Sequence, residues 1–449
     1  MEPGLQLERD RKMVRKEGRD TVTALKGTEP TARPEIDLGA RWTLRPTHRR
    51  WLETRADALF DQFQFTSIDP AGGFFDLDRA GQPRRETPLR ELVTTTRVIH
   101  CFAIAHMLGR PGADAIIRHG LAALWELHRD TLHGGYHWQV GVGADSSKQA
   151  YGHAFVLLAA ASAKMAGFAE ADPILHDVTK VLETRFWEIQ HGASAEEFAA
   201  DWTPISGYRG QNANMHLTEA LMAAYEATGE ADYLRRAESI ADLLIGRVAR
   251  AHSWHVMEHF NAAWEPDLAY RGSDMFRPFG TTPGHALEWS RLLGQLHVLG
   301  GERLAWLPDA ASALFRQAVT DGWDQTSGGF YYTLDYAGAP LIRDRLWWPC
   351  CEGIAAAAFL GSRSGDPFYE TWYRRVIGWM TTYMADTAQG GWHPELDDSL
   401  VPRSRFFTGK PDIYHLLQSF LIPLYPAKGS LGEMVRRVAA DAPPAGQDV

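Results

Sequence analysis

A Gly-Gly-aromatic doublet returns along this chain at intervals that call for a repeat architecture. AGGFFDLD (71–78), LHGGYHWQV (132–140), SGGFYYTLD (327–335) and QGGWHPELD (389–397) place Gly73, Gly135, Gly329 and Gly391 in equivalent positions. The first two are 62 residues apart, the last two again 62, and the middle interval of 194 is close to three such periods. Degenerate copies are therefore expected near 198 and 258, where the chain reads EEFAADW and WHVMEHF. The count is six units of about sixty residues, each too small to bury its own apolar face and stable only when stacked.

Between the doublets the apolar spacing is helical. RELVTTTRVIHCFAIAHML, KQAYGHAFVLLAAASAKM and ANMHLTEALMAAYEAT are rich in Ala, Leu and Met at three- and four-residue spacing. Two helices per unit are expected, the first over 44–65 and the even ones starting near 84, 145, 211, 281, 345 and 410. Short joints at GRPGAD (109–114), GFAEAD (167–172), GEAD (229–232) and GSRSGD (361–366) separate the two helices of a unit. There Gly closes one helix through a left-handed cap and Asp is expected to N-cap the next. Tight joints alternating with long ones make six antiparallel pairs: an all-α (α/α)6 barrel, with short β-ribbons in long loops gathered on one face. An open α-solenoid is the competing architecture. The barrel is expected over 41–426, after a flexible N-terminal extension (1–40) and before a C-terminal tail (427–449).

Composition narrows the function. With 45% hydrophobic residues, a net charge of -10 and a mean hydropathy of -0.29, the chain has core material and a soluble character. No basic stripe invites nucleic acid, no apolar run spans a membrane, and no signal peptide opens the chain. Three cysteines, Cys101, Cys350 and Cys351, read as buried thiols in a reducing, cytoplasmic setting. Homo-oligomerisation is left open.

Unusual polar residues favour the even helices: Arg97 and His100, Tyr151 and His153, then Asn212, His216 and Glu219, then His285 and Glu288, Glu352, and finally Asp412 and His415. Six helix N-termini converging on one mouth create a positive potential in which imidazoles stay neutral and an oxyanion is stabilised. His285–Glu288 and His216–Glu219 are each one helical turn apart, and a carboxylate beside an imidazole fixes its tautomer for general-base work. A carboxylate-bridged metal site is the rival chemistry, but its helices carry Glu-x-x-His, the reverse order. Glycoside hydrolysis needs two facing carboxylic acids, whereas the cluster here centres on histidine. Trp289, Trp347, Trp348 and Trp392 supply aromatic faces near the same mouth.

RGQNANMHLTEA, FRPFGTTPGHALEWSRLL, WWPCCEGIA and KPDIYHLLQSFLIP, in order along the chain, resemble the N-acylglucosamine 2-epimerase superfamily, in its mannose isomerase and sulfoquinovose isomerase branch. The likeness runs from about Trp42 to Pro426. It implies an (α/α)6 barrel and a reversible aldose–ketose isomerisation through a cis-enediolate, with a monosaccharide as partner and no metal, nucleotide or redox cofactor. His285 and His415 would be the acid–base pair, Glu288 would orient His285, and Arg97 would contact sugar oxygens. Tyr151, Asn212, His216, Glu219, Glu352 and Trp348 would complete the pocket. Sulfoquinovose-acting relatives tend to carry Gln at Pro394 and Pro411 and Arg at Met275, so the resemblance points to an uncharged hexose, D-mannose, with D-lyxose as a lesser substrate. His393 stands at the mouth without a role. A 2-epimerase on the same residues and a non-catalytic sugar-binding or protein-interaction toroid remain as alternatives.

Overall fold

Each long connection is stitched to the next by backbone hydrogen bonds, and the stitching closes on itself. In the computed structural model, which describes residues 41–441, the residues just before each even helix pair antiparallel with the following long loop. The registers are Arg90↔Val140, Lys148↔Phe198, Arg209↔Phe260, Thr281↔Leu334 and Arg345↔Leu396. A sixth bridge, Asp78↔Gly409, joins the last loop to the first. A ring of six bridges excludes an open solenoid.

The helices obey the same closure. The inner ones are α2 (Leu92–Met107), α4 (Ala150–Met165), α6 (Gln211–Thr228), α8 (Pro283–Leu299), α10 (Trp347–Ser364) and α12 (Ile413–Leu421). Neighbours touch in that order and α12 returns to α2. The outer layer is α1 (Pro46–Thr66), α3 (Ala113–Ala123), α5 (Ala171–Val181), α7 (Ala231–Ala241), α9 (Trp306–Asp321) and α11 (Pro367–Tyr383). Sequence dictates the layer. Helix α5 buries one stripe, Ala171, Ile174, Leu175, Val178 and Val181, whereas α4 is buried from Gly152 through Ala163 on every side. Helix α2 starts eight residues later than the expected 84, because the stretch before it is spent on the ladder.

The doublets turn through positive φ, as at Gly328 (77°) and Gly329 (80°), where an added Cβ would also strike Trp379. Aligned on the ladder, the positions equivalent to Gly73 fall at Ala193 and His255, earlier than the expected 198 and 258. The third unit keeps one glycine of positive φ, Gly192 (69°), and the fourth puts Trp254 (67°) in that conformation. Gly109, Gly167, Gly229 and Gly365 all adopt positive φ at the short joints. Of the four aspartates there, only Asp366 caps its helix, accepting from Phe368 N at 2.8 Å. Asp114, Asp172 and Asp232 lie within the first turn, where they act on the helix dipole instead.

An ion-pair strut, buried or half-buried, braces five of the six loops. An acid entering the turn pairs with a base leading into the inner helix: Asp69–Arg90 (2.7 Å), Asp130–Lys148 (2.8 Å), Glu188–Arg209 (2.6 Å), Asp324–Arg345 (2.6 Å) and Asp386–Lys410 (2.6 Å). Asp130, Asp324 and Asp386 also accept from amides of the turn. The fourth unit has Thr281 at the position of the base and no such strut.

The expected tail at 427–449 is corrected by a thirteenth helix, α13 (Leu431–Asp441). Leu431, Met434 and Val435 are buried against α2, α4 and α6, so these apolar residues cover the barrel at the end away from the loops. The extension at 1–40 and the residues after 441 lie outside the described residues.

Lys148 has no exposed surface, so Lys148→Met strands the Asp130 carboxylate. The expected loss is about 3 kcal/mol of stability, read from the denaturant midpoint at constant slope; an unchanged midpoint contradicts the strut.

Candidate active site

The ladder supplies a frame that aligns the inner helices. Three residues beyond the ladder residue stand Tyr151, Asn212, Trp348 and Asp412; seven beyond it stand Arg97, His216, Glu288 and Glu352. Four residues is one helical turn, so these are two rings on the same helix faces, one above the other. Gly284 belongs to the upper ring, and a Cβ there would strike Trp348. The imidazoles of His285 and His415 sit off both rings.

Eight of the ten residues expected at the site line one cavity of about 100 Å³: Arg97, Tyr151, Asn212, His216, His285, Glu288, Trp348 and His415. Its remaining wall is largely apolar, with Met275, Phe276, Tyr332, Trp347 and Phe407. It opens into a vestibule of about 310 Å³ that includes Pro411. Glu219 and Glu352 are not part of the wall; they stand behind it, buried. His100 and His153 are elsewhere, bonded to Ser162 Oγ (2.7 Å) and Tyr136 N (3.0 Å). Trp289 is fully buried, and Trp392 and His393 line a separate cleft at the rim.

His285 is not oriented by Glu288. Its Nδ1 lies 2.9 Å from both carboxylate oxygens of Glu258, in the fourth long loop. Glu258 is itself fixed by Gln211 Nε2 (2.8 Å) and Thr282 N (3.2 Å). Trp289 Nε1 donates to Gln211 Oε1 (2.8 Å), which turns the amide so that its NH2 faces Glu258. Burial opposes the charge on Glu258, but His285 and the Gln211 donor outweigh it and hold the pKa below the usual carboxylate range. The i,i+3 geometry misled because α8 points Glu288 down to the second ring while His285 points across to the loop. Glu258 was visible in WHVMEHF, but its pairing spans 27 residues and has no local signature.

His415 repeats the arrangement from a helix. Its Nδ1 lies 2.8 Å from Glu352 Oε1. Glu352 Oε2 accepts from Arg291 Nε (3.1 Å) and Nη2 (3.0 Å). Burial again works against the charge, and Arg291 and His415 hold the Glu352 pKa down. Each carboxylate accepts from Nδ1, which leaves Nε2 of each ring on the cavity side. Trp348 touches both rings, with centroids 5.0 Å from His285 and 5.8 Å from His415.

Arg97 donates to Asp412 Oδ2 and to the Tyr151 hydroxyl, both at 2.8 Å, so its guanidinium is held at the cavity wall. His216 Nδ1 is 3.9 Å from Glu219 and 3.7 Å from Glu288, too far for a hydrogen bond. Burial drives the His216 pKa down to about 4, so the ring is neutral near pH 7. Glu219 instead accepts from the Tyr414 hydroxyl and from Arg291 Nη1 (3.3 Å).

Two triads, His216–Glu219–Glu288 and Glu288–Glu352–His415, bring their donor atoms within 4.8 Å. Neither fits a metal ion well. Arg291 already presents its guanidinium to all three carboxylates, at 3.0–3.6 Å, and a divalent ion would have to sit against that charge.

Residues 72–419 match the N-acylglucosamine 2-epimerase (GlcNAc 2-epimerase) family. The chain belongs to that family. It is 44% identical over 398 residues to a D-mannose isomerase of Thermobifida fusca, covering 87% of this chain and 97% of that one. It is 41% identical to a D-mannose isomerase of Pseudomonas cannabina pv. alisalensis, covering 87% and 96%. A crystal structure of D-mannose isomerase superposes with a TM-score of 0.78 at 32% identity, over 84% of this chain and 97% of that one. The twelve paired helices thus belong to the (α/α)6 barrel of this family.

Two measurements probe the site. Glu258→Gln removes the charge that fixes the His285 tautomer while keeping the side-chain shape; kcat should fall on the order of 100-fold with KM little changed and the kcat/KM pH profile displaced. A profile of unchanged shape and height would remove Glu258 from this role. His100 and His216 are both pushed by burial from 6.5 to about 4. Between these values the unfolded chain binds protons that the folded protein refuses, so stability falls as pH drops from 6.5 toward 4, by roughly 1.4 kcal/mol per group per pH unit. Denaturant titrations at pH 7 and pH 5 with equal midpoints would contradict this.

Proposed function

We propose that this protein is a cofactor-independent D-mannose isomerase that interconverts D-mannose and D-fructose through a cis-enediolate, with D-lyxose as a lesser substrate. One observation carries the reading: two imidazoles, each anchored through Nδ1 to a buried carboxylate, present Nε2 to the same cavity. The identities of 44% and 41% to D-mannose isomerases, along nearly their whole length, support the choice of sugar. Met275 in the cavity wall and Pro411 in the vestibule offer no donors for a charged substituent, which suits an uncharged hexose.

In this reading Nε2 of His415 takes the proton from C2 and returns it to C1 on the same face. His285 assists ring opening and carries the proton from O2 to O1. The charge that develops on the enediolate oxygens meets the Arg97 guanidinium and the N-terminal turns of the inner helices. Trp348 offers its face to the C–H side of the sugar. Enclosure by Phe276, Trp347 and Phe407 limits water around the enediolate.

Mannose incubated with the enzyme in D2O containing EDTA should give fructose carrying deuterium at C1, followed by NMR. Glucose labelled at C2, no turnover, or activity abolished by the chelator would each overturn the reading. His415→Ala should abolish exchange at the sugar while the far-ultraviolet circular dichroism stays unchanged.

A further inference from the structure

Three carboxylates, Glu219, Glu288 and Glu352, surround the buried guanidinium of Arg291. Two of them are fully engaged. Glu352 receives Arg291 on one oxygen and His415 on the other. Glu219 receives Arg291 and the Tyr414 hydroxyl. Glu288 receives neither kind of bond: its nearest cationic atom, Arg291 Nη2, is 3.6 Å away, His216 Nδ1 is 3.7 Å away, and both its oxygens are buried without a partner.

An ionised carboxylate cannot persist in such a place without donors or water. The groups facing it from the other helices do not supply the missing charge. On α2, Arg97 is engaged with Asp412 and Tyr151. On α6, His216 is neutral and the Glu219 charge repels a third one, as does the Glu352 charge on α10, which holds His415 of α12. Burial first, and the Glu352 charge second, push the Glu288 pKa well above the ordinary carboxylate value. Yet Glu288 lines the cavity beside both imidazoles.

We propose that Glu288 stands in the cavity as the neutral carboxylic acid and donates a hydrogen bond to an oxygen of the bound sugar. This rests on the reading of the cavity as a sugar site. A carboxylate could only accept from the hydroxyls of an aldose. The protonated form can also donate to the carbonyl or enediolate oxygen, on which charge accumulates, without adding a third negative charge around Arg291.

The test begins on the sugar-free protein at neutral pH. The infrared difference between wild type and Glu288→Gln should show the carbonyl band of a protonated carboxylic acid, and Glu219→Gln should leave that band in place. No such band in the wild type overturns the proposal, whatever the enzyme does to mannose. If the band is there and mannose is not isomerised, the functional reading fails and the protonation stands. In turnover, Gln keeps a donor and the neutral charge, so its kcat/KM pH profile should keep the wild-type shape; a limb displaced by about a pH unit would show that a charge had been removed and would overturn the proposal. Glu288→Ala, which loses the donor, should raise KM about tenfold above that of Glu288→Gln; equal KM values for the two would also sink the donor role.

Discussion

Arg291 has no exposed surface, and the polar interior of the barrel is arranged around its guanidinium. A buried cation must be matched by buried anions, and each anion must satisfy its remaining lone pairs. Glu352 does so with His415 and Glu219 with Tyr414, so one interior charge positions two residues of α12 at once. The deep charge cluster is therefore part of the site's geometry, because it fixes the ring that faces the cavity.

The two imidazoles are held by unlike means. The Glu352 charge behind His415 is matched by Arg291, whereas Glu258 behind His285 meets only neutral donors besides the imidazole, Gln211 and the Thr282 amide. Their mountings differ as well: Glu352 is on an inner helix and Glu258 is on a loop. That loop belongs to the fourth unit, the one without an acid–base strut. There Glu258, through Thr282 and Gln211, joins the loop to the starts of α8 and α6, a task that Asp130–Lys148 and its counterparts perform elsewhere. In this unit the carboxylate that ties loop to barrel also holds the imidazole.

Much of this was legible in the residues. The 62-residue spacing gave the six units, the Ala-rich segments gave the two layers, and polar residues on alternate helices pointed to the mouth. What escaped was whatever depends on long-range register. Glu288 beside His285 in sequence suggested contact, but the helix turns the two side chains to different depths. Arg291, in HALEWSRLL, was passed over although a base inside an apolar inner helix is costly unless matched. The struts pair residues 18 to 24 apart across a loop, a spacing with no periodic signature. The C-terminal helix was missed because LGEMVRRVAAD has only one short apolar stripe, meaningful once the barrel end is there to receive it.

The ladder frame also explains why alternate helices carry the chemistry. Once six backbone bridges set a common origin, the third and seventh residues beyond it fall on one face of each inner helix, whatever side chains they bear. Five of those twelve positions are small, apolar or aromatic: Val93, Phe155, Gly284, Trp348 and Leu416. The other seven hold the polar groups. Gly284 shows that the positions are sterically coupled, since a side chain there would displace Trp348, which in turn touches both imidazoles. The site is thus a property of the ring as a whole, and a change at one ring position is felt at the histidines through the neighbouring stave.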